Sequence, residues 1–111
     1  MARPKRPTQQ SPLLTAEHPE IQRLLDEWHA AGRAAYAQQY PTRLYDAYAR
    51  KSATTTAHYI QLDDAGSVAF LVERHTGIVY RVKVYGRTQR GKRLGHLSEL
   101  SGAVLHAQRY W

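Results

Sequence analysis

The chain has 111 residues, 42% of them apolar and 23% charged, with a net charge of +7 and no cysteine. That length suits one domain around one core and excludes two independent cores. The absent thiols exclude a disulfide framework, a cysteine nucleophile and a thiolate metal site, and no apolar run reaches the roughly 18 residues that a membrane span needs.

The positive charge is concentrated. Arg3, Lys5 and Arg6 lie in an acid-free N-terminal stretch, and Arg81, Lys83, Arg87, Arg90, Lys92 and Arg93 lie in a second one, so nine of the sixteen basic residues occupy two short segments. The remainder carries seven basic against nine acidic residues. Charge placed this way predicts an anionic partner, nucleic acid first, with an acidic protein surface as the alternative. Residues 1–14, rich in Pro and Gln and without periodicity, read as a basic extended arm, and 15–111 as a single domain. The arm has no apolar stretch after its charges, which predicts a cytoplasmic (host-cell) or virion protein and no membrane partner.

From Pro19 onward Ile21, Leu24, Leu25, Trp28, Gly32, Ala35 and Gln39 recur at helical spacing and predict a helix over 19–39. Pro19 suits its first turn, and Glu17 and Glu20 suit the positive end of its dipole. Arg23, Asp26, Glu27 and Arg33 form the opposite, solvated face. The stripe also offers a surface for a homo-oligomer. Pro41 ends this helix, and Thr42 caps a second, shorter one through about Lys51, with Leu44, Ala47 and Tyr48 inward. Tyr36, Tyr40, Tyr45 and Tyr48 cluster at the joint as packing residues.

Three strand-like runs follow, over 57–62, 67–74 and 78–85, separated by the turns DDAG and HTG. A three-residue HTG loop with Gly77 left-handed pairs Val72 with Tyr80, Phe70 with Val82 and Val68 with Val84, giving an apolar face for the helices. The other face then carries Ala69, Leu71 and Glu73 opposite Lys83, Arg81 and Val79, with Tyr85 next along. An aromatic ring among cations is what a single-stranded nucleic acid requires of a protein surface. The fold class is therefore α+β: two N-terminal helices packed on an antiparallel sheet of three or more strands.

The stretch VYGRTQRGKR contains G-x-x-x-x-G-K from Gly86 to Lys92, most of a phosphate-binding loop. The match fails in its parts: Arg93 stands where a magnesium-binding Ser or Thr belongs, Gly95 interrupts the required helix, and no βαβ pattern is present. What remains is a flexible loop in which Gly86, Gly91 and Gly95 space Arg87, Arg90, Lys92 and Arg93 for phosphate contacts. After it, SELSGAVLHAQRYW is either a final strand or a helix from Ser98 that Gly102 weakens.

None of His18, His29, His58, His75, His96 and His106 is three or four residues from another, so no metal or other cofactor is expected. Asp63 and Asp64 read as turn residues and Glu73 as a cross-strand ion-pair partner. A nuclease-like site built from Asp63, Asp64, Glu73 and Lys83 requires those carboxylates to converge on one metal; no catalytic residue is assigned. The stretch FLVERHTGIVYRVKVYG, residues 70–86, resembles the strand, Thr-Gly turn, strand and Tyr-Gly ending of small tailed-bacteriophage proteins with no assigned function. The resemblance implies a viral origin and carries no activity.

The reading that follows is a small, non-enzymatic protein that binds nucleic acid by its phosphates, with Arg87, Arg90, Lys92 and Arg93 as the clamp. Arg81, Lys83 and Tyr85 extend the surface, and Arg3, Lys5 and Arg6 wrap the strand. The alternative is a virion or protein-interaction component that docks on an acidic protein surface.

Overall fold

The computed structural model describes residues 13–42, 50–84 and 86–108. Most of the predicted arm, most of the predicted helix over 42–51, and Tyr85 lie outside the described residues. Helix α1, Pro19–Gln39, forms as its periodicity predicts. His18 caps it, its Nδ1 accepting the Glu20 N–H at 3.1 Å, and Pro19 takes the first position, where no N–H is needed. Ile21, Leu24, Leu25, Trp28 and Gly32 are buried, whereas Ala35 and Gln39, placed on the same stripe by spacing, are exposed.

Five antiparallel strands follow in chain order: β1 Lys51–Thr55, β2 Tyr59–Asp64, β3 Ser67–Glu73, β4 Ile78–Val82 and β5 Arg90–His96. A 3-10 turn, Leu97–Glu99, leads to helix α2, Gly102–Gln108. The class is α+β, but the second described helix is C-terminal rather than N-terminal. One core joins Ile21, Leu24, Leu25 and Trp28 of α1 and Leu105 of α2 to Ile60, Leu62, Phe70, Val72 and Val79 of the sheet. The Trp28 and Phe70 rings meet edge to face at 5.2 Å. Two strands depart from expectation. Residues 51–55 are an edge strand rather than helix end and linker, and 90–96 are the other edge rather than a flexible loop.

The β3–β4 register differs from the predicted one by a single residue. Phe70 pairs with Arg81, Leu71 with Tyr80 and Val72 with Val79, because the loop is Arg74 to Gly77, closed by the Gly77 N–H on the Glu73 carbonyl at 2.8 Å. Arg74 has no partner on β4; its N–H still bonds the His58 carbonyl at 3.1 Å, and its guanidinium donates to the carbonyls of Leu14 at 2.7 Å, Thr56 at 3.0 Å and Ala57 at 3.2 Å. A one-residue slip exchanges the faces of a strand. Tyr80 and Val82 therefore leave the helix side and Arg81 joins it, donating to the Gln108 carbonyl of α2 at 3.4 Å. A bulge in β3, where Leu62 pairs with Phe70 but Asp63 with Val68, turns Val68 to the face away from the helices as well, where it packs with Leu71 and Val82.

Arg23 and Glu27, expected on a solvated helix face, instead hold the C-terminal segment. Arg23 donates to the carbonyls of Leu97 at 2.9 Å and Leu100 at 3.2 Å, and Glu27 accepts the Gly102 N–H at 3.0 Å and Arg23 at 3.0 Å. The Gly102 N–H foremost, with the Arg23 guanidinium, holds the Glu27 carboxyl below its usual 4.5 against an opposing effect of burial. A depressed carboxylate stabilises the fold above its unfolded pKa and loses that contribution as pH falls through the folded value. Stability is thus expected to drop as pH is lowered from 5 into the acid range. Glu27→Gln should flatten part of that dependence in urea melts; an unaltered profile would show that this contact does not hold α2.

Candidate nucleic-acid interface

The candidate surface lies along the outer edge strand. Along β5 the pairs are Ile78 with His96, Val79 with Gly95, Tyr80 with Arg93 and Val82 with Arg90, with irregularities on either side of the Tyr80 pair. Arg90 and Arg93 are three positions apart and would face opposite sides of a regular strand. The second irregularity brings both opposite open-face residues of β4. Gly91 makes this possible: a Cβ there would lie 2.7 Å from the Arg81 carbonyl oxygen and 2.9 Å from the Lys83 backbone nitrogen. Only a residue without a side chain lets the bulged strand press so closely on β4.

The turn between β4 and β5 is tied down at three points. The Lys83 N–H donates to the Gln89 carbonyl at 2.7 Å, the Arg87 N–H to Val84 at 2.9 Å and the Gly86 N–H to Val68 at 2.9 Å. Gly86 takes φ +84° at the third position of its turn, which favours glycine there. The cations expected on a flexible loop thus sit on a fixed turn and strand. Lys83, Arg87, Arg90, Lys92 and Arg93 are all exposed. The side chains of Lys83, Arg87, Lys92 and Arg93 make no ion pair or hydrogen bond among the described residues, while the Arg90 guanidinium lies 4.7 Å from the centre of the Tyr80 ring.

Of the predicted surface, Arg81 lies on the helix side of the sheet, its guanidinium donating to the Gln108 carbonyl of α2 at 3.4 Å. Tyr85, Arg3, Lys5 and Arg6 lie outside the described residues. Tyr80, assigned by sequence to the core face, is the aromatic residue at the site, and the signal that finds it is the four-residue loop RHTG. Around it the open face is apolar at its centre: Leu71 is 1% exposed, and Tyr59 packs against the cluster it forms with Val68 and Val82.

The carboxylates do not converge. Asp64 is on the helix side, ion-paired with Lys51 at 2.9 Å, while its neighbour Asp63 pairs with Ser52 and Val68 on the open side, where burial pushes its carboxyl above the usual 3.8. Glu73 accepts the Thr76 hydroxyl at 2.7 Å, and Lys83 belongs to the far turn. The nuclease-like arrangement is therefore not assembled, and among the described residues no three His, Asp or Glu side chains group as a metal site requires. His18 and His96 are structural, each accepting a backbone N–H on Nδ1, from Glu20 and Ser98 respectively. The partial phosphate-loop motif is followed by strand β5 rather than a helix, so no ring of helix N-terminal amides faces an anion there.

No protein-family model, curated protein or solved structure matches the chain.

Proposed function

We propose that this protein binds nucleic acid without catalysis, largely independent of sequence, by laying the phosphate backbone along β5 and the β4–β5 turn. The supporting observation is the row of Lys83, Arg87, Lys92 and Arg93, exposed and without ion pairs or hydrogen bonds among the described residues, together with Arg90 on the same edge. Cations that neutralise one another's neighbours serve the fold; cations left unneutralised on a fixed edge serve an outside anion. Their spread along one edge strand and its turn suits a polymer better than a single small anion. Arg3, Lys5 and Arg6 are proposed to add contacts from the N-terminal side.

Each phosphate neutralised releases counterions, so binding must weaken with salt. Affinity for a 20-nucleotide oligomer, measured between 50 and 200 mM salt, is expected to fall steeply. The double variant Arg87→Ala, Arg93→Ala should reduce the slope of log K against log salt by about 1.4 on a single strand, at ~0.7 per phosphate contact. An unchanged slope would remove these arginines from the interface. No binding by the native chain at 50 mM would overturn the reading and leave the edge as a docking surface for an acidic protein.

A further inference from the structure

Resting on the nucleic-acid reading above, we infer that the sheet face turned away from the helices is a base-stacking platform for single-stranded nucleic acid, with Tyr80 as the ring and Arg90 as its displaceable cover. Four observations meet here. Tyr80 is half-buried on the open face, beside Leu71 and Val82, each 1% exposed. Arg90 and Arg93 flank it from β5, in register with Val82 and with Tyr80 itself. The Arg90 guanidinium occupies the ring at 4.7 Å from its centre, the place that a flat cationic or aromatic group takes. Finally, the carboxylates of this face, Asp63 on β2 and Glu73 on β3, stand on strands farther from the cationic edge, which directs a polyanion over β4 and β5.

The choice of single strand over duplex follows from what a ring on a sheet can reach. Paired bases are stacked on one another and turn only their edges outward, whereas an unpaired base has a free face to lay on tyrosine. In the complex the base takes the guanidinium's place over Tyr80, and Arg90 turns to the adjacent phosphate, exchanging a cation–π contact for a charge-assisted one. Tyr59 also lies on the open face, but it is paired with Glu73 and belongs to the acidic side, outside the path.

The test uses the full chain with three probes of equal length: a thymidine 12-mer, its duplex, and a 12-mer whose sugars carry no bases. The thymidine strand is expected to bind about tenfold more tightly than the abasic strand, the range for one stacked base, and more tightly than the duplex. Tyr80→Ala should bring the thymidine strand down to the abasic value, Tyr80→Phe should keep the advantage, and Tyr59→Ala should leave it intact. Arg90→Ala should keep the difference between thymidine and abasic strands while lowering the salt slope. Equal, salt-dependent binding of all three probes by the native chain would overturn stacking and leave the phosphate clamp standing. Absence of binding to every probe would overturn both. The comparison of probes on the native chain needs no variant to fold.

Discussion

Replacing Gly102 by alanine is expected to cost at least about 3 kcal/mol of stability, against a gain of ~1 kcal/mol that alanine brings to a helix on propensity alone. Gly102 opens α2 where the helix crosses α1, and a Cβ there would lie 1.9 Å from the Glu27 carbonyl carbon and 2.0 Å from the Trp28 nitrogen. Both are main-chain atoms inside a helix and cannot rotate aside, so α2 has to lift. Lifting it breaks the Gly102 N–H bond to Glu27, loosens the Arg23 bonds to Leu97 and Leu100, and reopens the pocket around Leu105, which is fully buried. For a domain of this size the loss corresponds to at least roughly 12 °C in Tm. Ala103→Gly, one position on at an exposed site, provides the control and should cost only the propensity difference of about 1 kcal/mol. A Gly102→Ala protein as stable as the native one in urea would mean that the two helices do not cross at this point.

That position also shows where sequence stops being informative. Periodicity revealed α1 because Ile21, Leu24, Leu25 and Trp28 repeat at 3.6 residues and bury themselves as a unit. Gly102 read as a weakness because propensity sees only the helix that contains it, whereas its value lies in a contact with a residue 75 positions away. The two edge strands were illegible for a related reason. β1 offers Ala53 as its single apolar residue, and β5, Arg-Gly-Lys-Arg-Leu-Gly-His, offers only Leu94; an edge strand is held by its backbone ladder to one neighbour, which leaves no alternation in the side chains. The hairpin register turned on whether Arg74 stays in the ladder, and its partners Leu14 and Thr56 are distant in sequence. At the candidate interface, the cations could be counted from sequence but their arrangement could not. Bulges and a one-residue slip decide that Arg90 and Tyr80 meet and that Arg81 turns away, and no period encodes either event.

Asp64→Ala is expected to cost about 3–5 kcal/mol, the range for removing one partner of a buried ion pair. Lys51 and Asp64 face each other across the β1–β2 ladder with Nζ and Oδ1 at 2.9 Å, and their side chains are only 1% and 11% exposed. The ammonium also lies 5.0 Å from the centre of the Trp28 ring, beneath α1. Without the carboxylate, the ammonium loses its 2.9 Å contact while its side chain stays 1% exposed, beside a ring whose attraction of roughly 0.5–2 kcal/mol does not offset the loss. Replacing both partners removes that charge, so the double variant Lys51→Met, Asp64→Leu should recover most of the loss. Urea unfolding of the two single variants and the double one separates the alternatives. A cost below ~1 kcal/mol for Asp64→Ala would place the pair in solvent, where ion pairs contribute little. The proposed nucleic-acid binding gives a second readout: Asp64→Asn, at a temperature where it remains folded, should bind like the native chain, because Asp64 lies across the sheet from Tyr80 and Arg90. The carboxylate that its neighbour Asp63 made look like half of a reactive pair then has a different task. It carries the charge that lets a lysine fasten the β1 edge under α1.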